Sequence, residues 1–476
     1  MPDKDINTEI AVLGAGPGGY AAAFLAADLG MDVVLIDPNK NPGGVCLYRG
    51  CIPSKTYLNA ARVIHEASES EKWGVLFSTP TIDIDKLRSW KNKVVGKLTD
   101  GLGRLSSQRK INYIQGMAQF KNDHELTIQT DTDKTIVCAF KHAIVATGSV
   151  STKPDGLWLD SPNILDSRRA LELADIPETL LVVGGGYIGL ELGTVYASLG
   201  SRVTVAEITS SLLPGVDKDL VSILKRRLDP LFETIALETR AHSFNVKKNG
   251  IQVTLTGPGD ESQTRLFSKI LVAVGRRPNS ESIGLAKAGI ETDDKAFIKI
   301  DAQCRTTSPH IFAIGDVANE PMLAHKASHQ GRAAVEVISG KKTAFDPAAI
   351  PAVVFTDPEI AWAGWTEKEA RESGIDFQVT RFPWAASGRA IAIDRTDGLT
   401  KLIIQPQTER ILGVAIAGPG ASEMIAEGVL AIEMGANATD LKLSIHPHPT
   451  LTETVMEAAD LFFNTATHFY KPRRRK

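Results

Sequence analysis

Ile10-Ala11-Val12-Leu13-Gly14-Ala15-Gly16-Pro17-Gly18-Gly19 and Leu180-Leu181-Val182-Val183-Gly184-Gly185-Gly186-Tyr187-Ile188-Gly189 are the stretches that decide how this 476-residue chain folds. Each is a short apolar strand followed by glycines at G-x-G-x-x-G spacing: Gly14, Gly16 and Gly19, then Gly184, Gly186 and Gly189. A helix follows each loop, to about Leu29 and about Leu199. A second strand then ends in an acid, Asp37 or Glu207, which lies 18 residues beyond the third glycine in both copies. The first glycine makes a tight turn, the second lets the backbone approach a pyrophosphate, and the third lets helix and strand pack closely. Free N–H groups and the positive end of the helix dipole then face the phosphates. A lone loop of this kind is weak, because glycine turns are common. Two copies in strand–loop–helix context, each answered by an acid, predict two Rossmann-like nucleotide-binding domains.

Asp37 and Glu207 are expected to accept hydrogen bonds from adenosine ribose hydroxyls. The bland alternative is a solvated acid at a strand end. A carboxylate at 207 repels a 2′-phosphate, so the second loop is expected to take NAD rather than NADP.

Outward from the loops, 55–67 and about 83–109 read as helices, and 111–148 as a polar, strand-rich stretch. Ile270 to Gly275 is an apolar strand that runs into a turn signal, Gly275-Arg276-Arg277-Pro278-Asn279. From about 350 the texture changes: strands at 352–355 and 402–404 alternate with helices at 366–373 and 421–434, and no glycine-rich loop recurs. The fold class is α/β, two Rossmann-like domains plus an α+β C-terminal domain. Hydrophobic residues make up 43% and charged residues 23%, the profile of a globular protein. A net charge of −3 gives no reason to expect nucleic acid or an anionic membrane as partner. No apolar run approaches the roughly 18 residues of a membrane span. Met1-Pro2-Asp3-Lys4-Asp5 leads almost directly into strand, with no room for a signal peptide, so a cytoplasmic location is expected. Lys471-Pro472-Arg473-Arg474-Arg475-Lys476 reads as a solvated tail.

There are four cysteines, and Cys138 and Cys304 sit alone in sequence that suits simple packing. Cys46 and Cys51 are the pair to explain. In a reducing compartment a close pair is catalytic or metal-binding more often than structural. The four intervening residues span about one and a half helical turns. A distorted first turn would bring the sulfurs into bonding range, and a helix N-terminus would lower a thiol pKa. Zinc would need a second ligand pair, and no other cysteine pair exists.

Gly43-Gly44-Val45-Cys46-Leu47-Tyr48-Arg49-Gly50-Cys51-Ile52-Pro53-Ser54-Lys55, with both glycine loops and Ile314-Gly315-Asp316, resembles the FAD-dependent pyridine nucleotide–disulfide oxidoreductases across nearly the whole chain. The resemblance implies an FAD-binding domain with the redox pair (1–150), an NAD-binding domain (151–276), a central domain completing the FAD site (277–347) and an interface or dimerisation domain (348–476). It implies that Asp316 binds the flavin's ribityl chain and that Lys55 lies near the flavin, paired with Glu191. Ala118 and Ala324 are implied to make backbone FAD contacts. Gly148, in Ala146-Thr147-Gly148, and Ala273 with Gly275, in Ala273-Val274-Gly275-Arg276, match the strand ends that close the FAD and NAD sites.

Within the family, the cysteine segment and His446-Pro447-His448-Pro449-Thr450-Leu451-Thr452-Glu453 are similar to the branch that reoxidises protein-bound dihydrolipoamide. Phe382-Pro383-Trp384-Ala385-Ala386-Ser387-Gly388-Arg389-Ala390 points the same way. By this likeness His448 is the base and Glu453 its orienter, the histidine coming from the other subunit of a homodimer. A base near neutral pKa suits dithiol oxidation. His446 is the alternative base, and an H-x-H metal site lacks the acids or cysteines to complete it. The implied cofactors are FAD and NAD; the implied partners are lipoyl domains and the acyltransferase core of 2-oxoacid dehydrogenase complexes.

Two departures are Tyr48 and Arg49, where the family usually has Asn and Val; they put the electrostatics between the thiols in question. Tyr187 either covers the flavin until the nicotinamide arrives or is simply packed. Rival readings are another disulfide reductase of the family and a flavoprotein scaffold. Glu207 argues against NADP-dependent relatives, and the tail lacks the extra C-terminal cysteines of others. A scaffold would not need the intact pair together with His448 and Glu453.

Overall fold

The structure is a computed structural model that describes residues 5–132 and 134–470; the basic tail at 471–476 and Met1 to Lys4 lie outside the described residues. The chain begins β1 (Ile6–Leu13), α1 (Pro17–Asp28), β2 (Val33–Asp37), α2 (Gly44–Arg49), α3 (Cys51–Glu69), α4 (Ile84–Gln108), β3 (Asn112–Phe120), β4 (Glu125–Thr130) and β5 (Thr135–Val145). β1 pairs in parallel with both β2 and β5, and β2 with β3, while β4 runs antiparallel to β3 and β5. A central parallel strand is covered on both faces, which explains why Ile10, Ala11 and Val12 are all fully buried.

After β6 (Ser149–Ser151) comes the second repeat: β7 (Ile164–Leu165), α5 (Ser167–Glu172), β8 (Thr179–Val183), α6 (Tyr187–Ser198), β9 (Arg202–Ala206), α7 (Lys218–Leu228), β10 (Thr234–Ala236), β11 (Arg240–Lys247), β12 (Gly250–Thr256), β13 (Ser262–Phe267) and β14 (Lys269–Val272). β10, β9, β8, β14 and β7 form a five-stranded parallel sheet in that order, and β11–β13 form an antiparallel meander. The turn signal at 275–279 is overruled. Arg276–Pro278 is a short strand, β15, antiparallel to β6, and Arg276 bonds Ser149 through Nε to Oγ (2.8 Å) and Nη2 to the carbonyl (2.7 Å). The partner strand lies more than a hundred residues back, so no local pattern could report it.

β16 (Ile311–Ala313) then returns to the first sheet and pairs in parallel with β5. α8 (Ala324–Ile338) packs against α1 where glycines meet: a Cβ on Gly331 would lie 2.6 Å from the Gly18 carbonyl oxygen. The rest is β17 (Ala352–Val354), β18 (Ile360–Gly364), α9 (Glu367–Glu372), β19 (Gln378–Pro383), α10 (Gly388–Ala392), β20 (Leu399–Ile404), β21 (Ile411–Ala417), α11 (Ala421–Glu433), α12 (Ala438–Leu443) and α13 (Glu453–Phe463). Its sheet, ordered β17-β18-β21-β20-β19, is antiparallel and is covered by α11 and α13. This sheet is tied to α7 by charge. Lys401, fully buried, donates to Asp217 (2.6 Å), Asp219 (2.8 Å) and Glu367 (3.1 Å), the close multiple pairing a buried ammonium requires. Among the described residues no helix is long and apolar enough to cross a membrane.

Candidate active site

Both glycine loops have the geometry that a pyrophosphate needs. Gly14 and Gly184 adopt φ of +100° and +106°, and a Cβ on Gly19 or Gly189 would lie 1.8 or 2.2 Å from the carbonyl oxygen of Gly14 or Gly184. At the middle glycines there is space instead: a Cβ on Gly16 would meet nothing nearer than 3.9 Å, and one on Gly186 nothing within 4 Å. The residues therefore fit two dinucleotides, with the strand-end glycines Gly148 and Gly275 also at positive φ (+71° and +120°). The Ala273 carbonyl oxygen closes on Gly184 from the neighbouring strand end. Asp37 accepts from the N–H of Ala15 (2.8 Å), and Glu207 from that of Gly185 (2.6 Å), so each acid also pins its loop.

The second turn of the first site is Gly315-Asp316. Gly315, at φ +73°, donates its N–H to Gln330 Oε1 (2.8 Å), and Asp316 accepts from Ser149 Oγ (2.5 Å). Lys326, four residues before Gln330 on α8, donates to the carbonyl and side-chain oxygens of Asn319 (both 2.5 Å). Burial holds its ammonium down, to about 8. Lys326 and Gln330 were not singled out in the sequence; α8 carries several other polar residues, His325, Ser328, His329, Arg332 and Glu336, and what sets these two apart is burial, which the sequence does not show. Ala324 opens α8, and Ala118 lies in β3 opposite Ile128 of β4.

Cys46 is in α2 and Cys51 begins α3, so the distortion lies between two helices rather than within a first turn. Gly50 makes the break (φ −145°, ψ −116°), and a Cβ there would approach the Val45 carbonyl oxygen to 2.9 Å. Both thiols are free. A hydrogen bond between them holds Cys46 well above the usual thiol range and Cys51 below it; burial also raises Cys46, while the Lys55 ammonium favours the Cys51 thiolate. Lys55 lies one helical turn beyond Cys51 and donates to Glu191 at 2.8 and 3.0 Å. Glu191, buried on α6, also accepts from the Phe355 N–H (3.1 Å). This bridge joins the thiol helix, the second nucleotide domain and the C-terminal domain. Tyr187 opens α6 half-exposed; burial raises its phenol, which feels Arg276, Asp316, Glu191 and Cys51.

His448 is not brought to these thiols within one chain. Its side chain is 72% exposed, and its Nδ1 lies 2.9 Å from Glu453 Oε1. Partial burial works against the Glu453 carboxylate, yet the Thr450 N–H (2.8 Å) and His448 outweigh it and hold the acid below its usual value. His446, in contrast, has its side chain largely covered (7% exposed) and both ring nitrogens engaged, by Glu427 (2.8 Å) and the Ser444 carbonyl (2.9 Å). Cys138 and Cys304 are fully buried, and burial raises their thiols to about 11 and about 12.

Residues 8–331 match the pyridine nucleotide-disulphide oxidoreductase family, and residues 350–459 match that family's dimerisation domain. The chain is 47% identical over 473 residues to dihydrolipoyl dehydrogenase of Vibrio cholerae, covering 99% of each. It is 44% identical over 466 residues to dihydrolipoyl dehydrogenase of Geobacillus stearothermophilus, covering 98% of each. Among solved structures, LpdA of Mycobacterium tuberculosis superposes with a TM-score of 0.88 at 25% identity, covering 95% of this chain and 99% of that one. The HOCl-induced flavoprotein disulfide reductase RclA of Escherichia coli superposes with a TM-score of 0.84 at 28% identity, with the same coverage. Matched along both regions and aligned end to end with these relatives, the chain belongs to the pyridine nucleotide–disulphide oxidoreductase family.

Proposed function

We propose that this chain oxidises protein-bound dihydrolipoamide to lipoamide through the Cys46–Cys51 pair, with FAD and NAD as cofactors. The observation that carries the reading is the pair's seat: Cys46 in α2 and Cys51 at the start of α3, on either side of the Gly50 break and one turn before the Lys55–Glu191 bridge to α6. Full-length relatives named dihydrolipoyl dehydrogenase support this substrate over another disulfide. FAD is held by Gly14, Gly16, Gly19, Asp37, Lys55, Ala118, Gly148, Asp316 and Ala324. NAD is held by Gly184, Gly186, Gly189, Glu207, Ala273 and Gly275, with Glu191 between the two.

In the oxidised enzyme Cys46 and Cys51 form a disulfide. His448 removes a proton from one substrate thiol, with Glu453 fixing the tautomer of the ring. The substrate sulfur attacks Cys46, and Cys51 leaves as a thiolate favoured by Lys55 and the α3 N-terminus. The second substrate thiol then displaces Cys46 and closes the lipoamide disulfide. Two electrons and two protons leave the substrate, and the pair is left as the free thiols seen in the structure. The chemistry that a bound FAD would supply is a two-electron link between the dithiol and NAD. Because His448 is exposed and apart from its own thiols, a second copy supplies it, and the enzyme is a homodimer. Leu430, Met434, Leu443 and Ile445 stand exposed on the same domain, an apolar face suited to burial in that contact. Lipoyl domains and the acyltransferase core of 2-oxoacid dehydrogenase complexes are its partners.

The test is NAD reduction by dihydrolipoamide with the purified yellow protein, repeated with NADP. Rapid NADH formation with little NADPH is expected; a flavin spectrum without turnover would assign the pair to another disulfide. His448→Gln is expected to lower the rate about 10²- to 10⁴-fold, the usual worth of a general base. Mixing it with Cys46→Ser under subunit exchange should restore about a quarter of wild-type activity, since half the dimers then carry one intact site. No recovery would mean that base and thiols belong to the same subunit.

A further inference from the structure

Tyr48 and Arg49 lie between the two cysteines, and their position in sequence suggests an effect on the thiols. Their side chains go elsewhere. The Tyr48 hydroxyl donates to the Asn41 carbonyl (3.0 Å) and accepts from the Asn41 N–H (3.3 Å). Arg49 Nη2 donates to Asn39 Oδ1 (3.1 Å). The ionic groups that act on the thiols from outside the pair are Lys55 and Glu191, whereas those that act on Arg49 include Arg168, Asp37 and Tyr48.

Asn39 is the link in this chain of bonds. Its N–H and its side-chain amide both donate to Asp37 Oδ1 (2.9 and 2.6 Å), and its carbonyl accepts from the Tyr113 hydroxyl (2.7 Å). Arg49 thus polarises an amide whose other end holds the Asp37 carboxylate, and such series strengthen one another. Arg49 is half-buried and forms no ion pair among the described residues, and burial together with Arg168 disfavours its charge. A guanidinium kept in that setting gains from its amide contact and from Asp37 beyond it. At its other end α2 is fastened to the glycine loop, since a Cβ on Gly44 would lie 2.5 Å from Gly16 Cα.

We propose that Tyr48 and Arg49 are positioning residues for the flavin-nucleotide site: they brace residues 38–43 so that Asp37 presents a fixed carboxylate to the adenosine ribose, and they leave the thiols between which they lie unaltered. This rests on the reading of Asp37 as the ribose acceptor.

The experiment measures FAD release from diluted holoenzyme, as recovery of flavin fluorescence, beside the pH dependence of thiol alkylation in the reduced enzyme. Arg49→Val should release FAD about tenfold faster, the usual worth of a charge-assisted hydrogen bond. Arg49→Lys should fall between Arg49→Val and wild type, and Tyr48→Phe should have a smaller effect in the same direction. The alkylation profile of all three should match wild type. Wild-type release from Arg49→Val, or a displaced thiol profile with FAD retained, would overturn the brace. Asp37→Asn separates the two layers. Fast release there with wild-type release from Arg49→Val sinks the brace alone. Wild-type release from Asp37→Asn sinks the ribose reading, and the brace's route to the cofactor with it.

Discussion

At Gly14 and at Gly184 the backbone takes the same path, and a Cβ would strike the carbonyl oxygen of Ala146 or Ala273 at 2.4 or 2.5 Å. The acids that follow, Asp37 and Glu207, hold the next N–H in the same way. The two sites part company in what else reaches them. The first loop receives α2 against Gly16, the Gly315–Asp316 turn, and α8 packed across α1. The second has its own strand, helix and acid; what reaches this repeat from afar, Lys55 and the Phe355 N–H, meets α6 at Glu191 and not the glycines, and Tyr187 at the start of α6 is half-exposed. One loop, copied twice, thus makes two kinds of site. A nucleotide clasped by distant segments stays with the protein, and one held by its own repeat can exchange on each turnover.

The largest expected effect breaks the symmetry at the third glycines. In Gly19→Ala the new methyl collides with the Gly14 carbonyl, and an uncompensated clash of this kind costs about 3 kcal/mol, roughly two orders of magnitude in affinity. The product should be colourless, since the flavin is lost. Gly189→Ala should stay yellow and be bleached by dihydrolipoamide, yet fail to reduce NAD. If both variants lost flavin equally, the second site would be no more independent than the first.

A middle-sized effect concerns the acids. Glu207→Gln removes the charge that the NAD assignment sets against a 2′-phosphate while keeping an oxygen for the Gly185 N–H, so under that proposal NAD-over-NADP preference should shrink about tenfold. The same exchange at Asp37 should leave nucleotide preference untouched. Steady-state kinetics with both nucleotides decides, and a preference that moved equally in both variants would remove the assignment of one acid to each cofactor.

The smallest effect lies where the two halves meet. Lys55 favours the Cys51 thiolate, whereas Glu191 opposes it. Lys55→Met deletes the favourable charge and leaves the carboxylate unpaired, so the Cys51 pKa should rise. Because that thiolate forms as pH increases through its pKa, alkylation of the reduced enzyme should become several-fold slower at neutral pH and recover at high pH. An unchanged profile would mean that the Cys46 hydrogen bond alone sets the acidity.

The glycine loops were legible in the sequence because positive φ and backbone contact under 3 Å leave few other residues acceptable, so chemistry is written directly into residue type. The His448–Glu453 pair could be read for a similar reason: both partners lie within one short segment. Ser149 with Arg276 could not, since its meaning depends on strands brought together from far along the chain; Lys326 with Asn319 and Gln330, though close in sequence, could not because their burial comes from the packing of α8 rather than from residue type. Tyr48 and Arg49 were the sharpest case. Sequence neighbours suggested thiols, whereas their side chains serve the loop after β2.

The return of β16 and α8 to the first sheet also has a consequence for how the protein is made. β1 to β5 leave the ribosome early, yet the strand beside β5 and the helix across α1 end only at Ala313 and Ile338. The flavin pocket therefore stays open while the whole second nucleotide domain is translated and begins to fold. On the proposed assignment of the first loop to FAD, cofactor capture is expected late in synthesis, since a chain interrupted before α8 would carry the cysteine pair without the strand and helix that complete the first sheet.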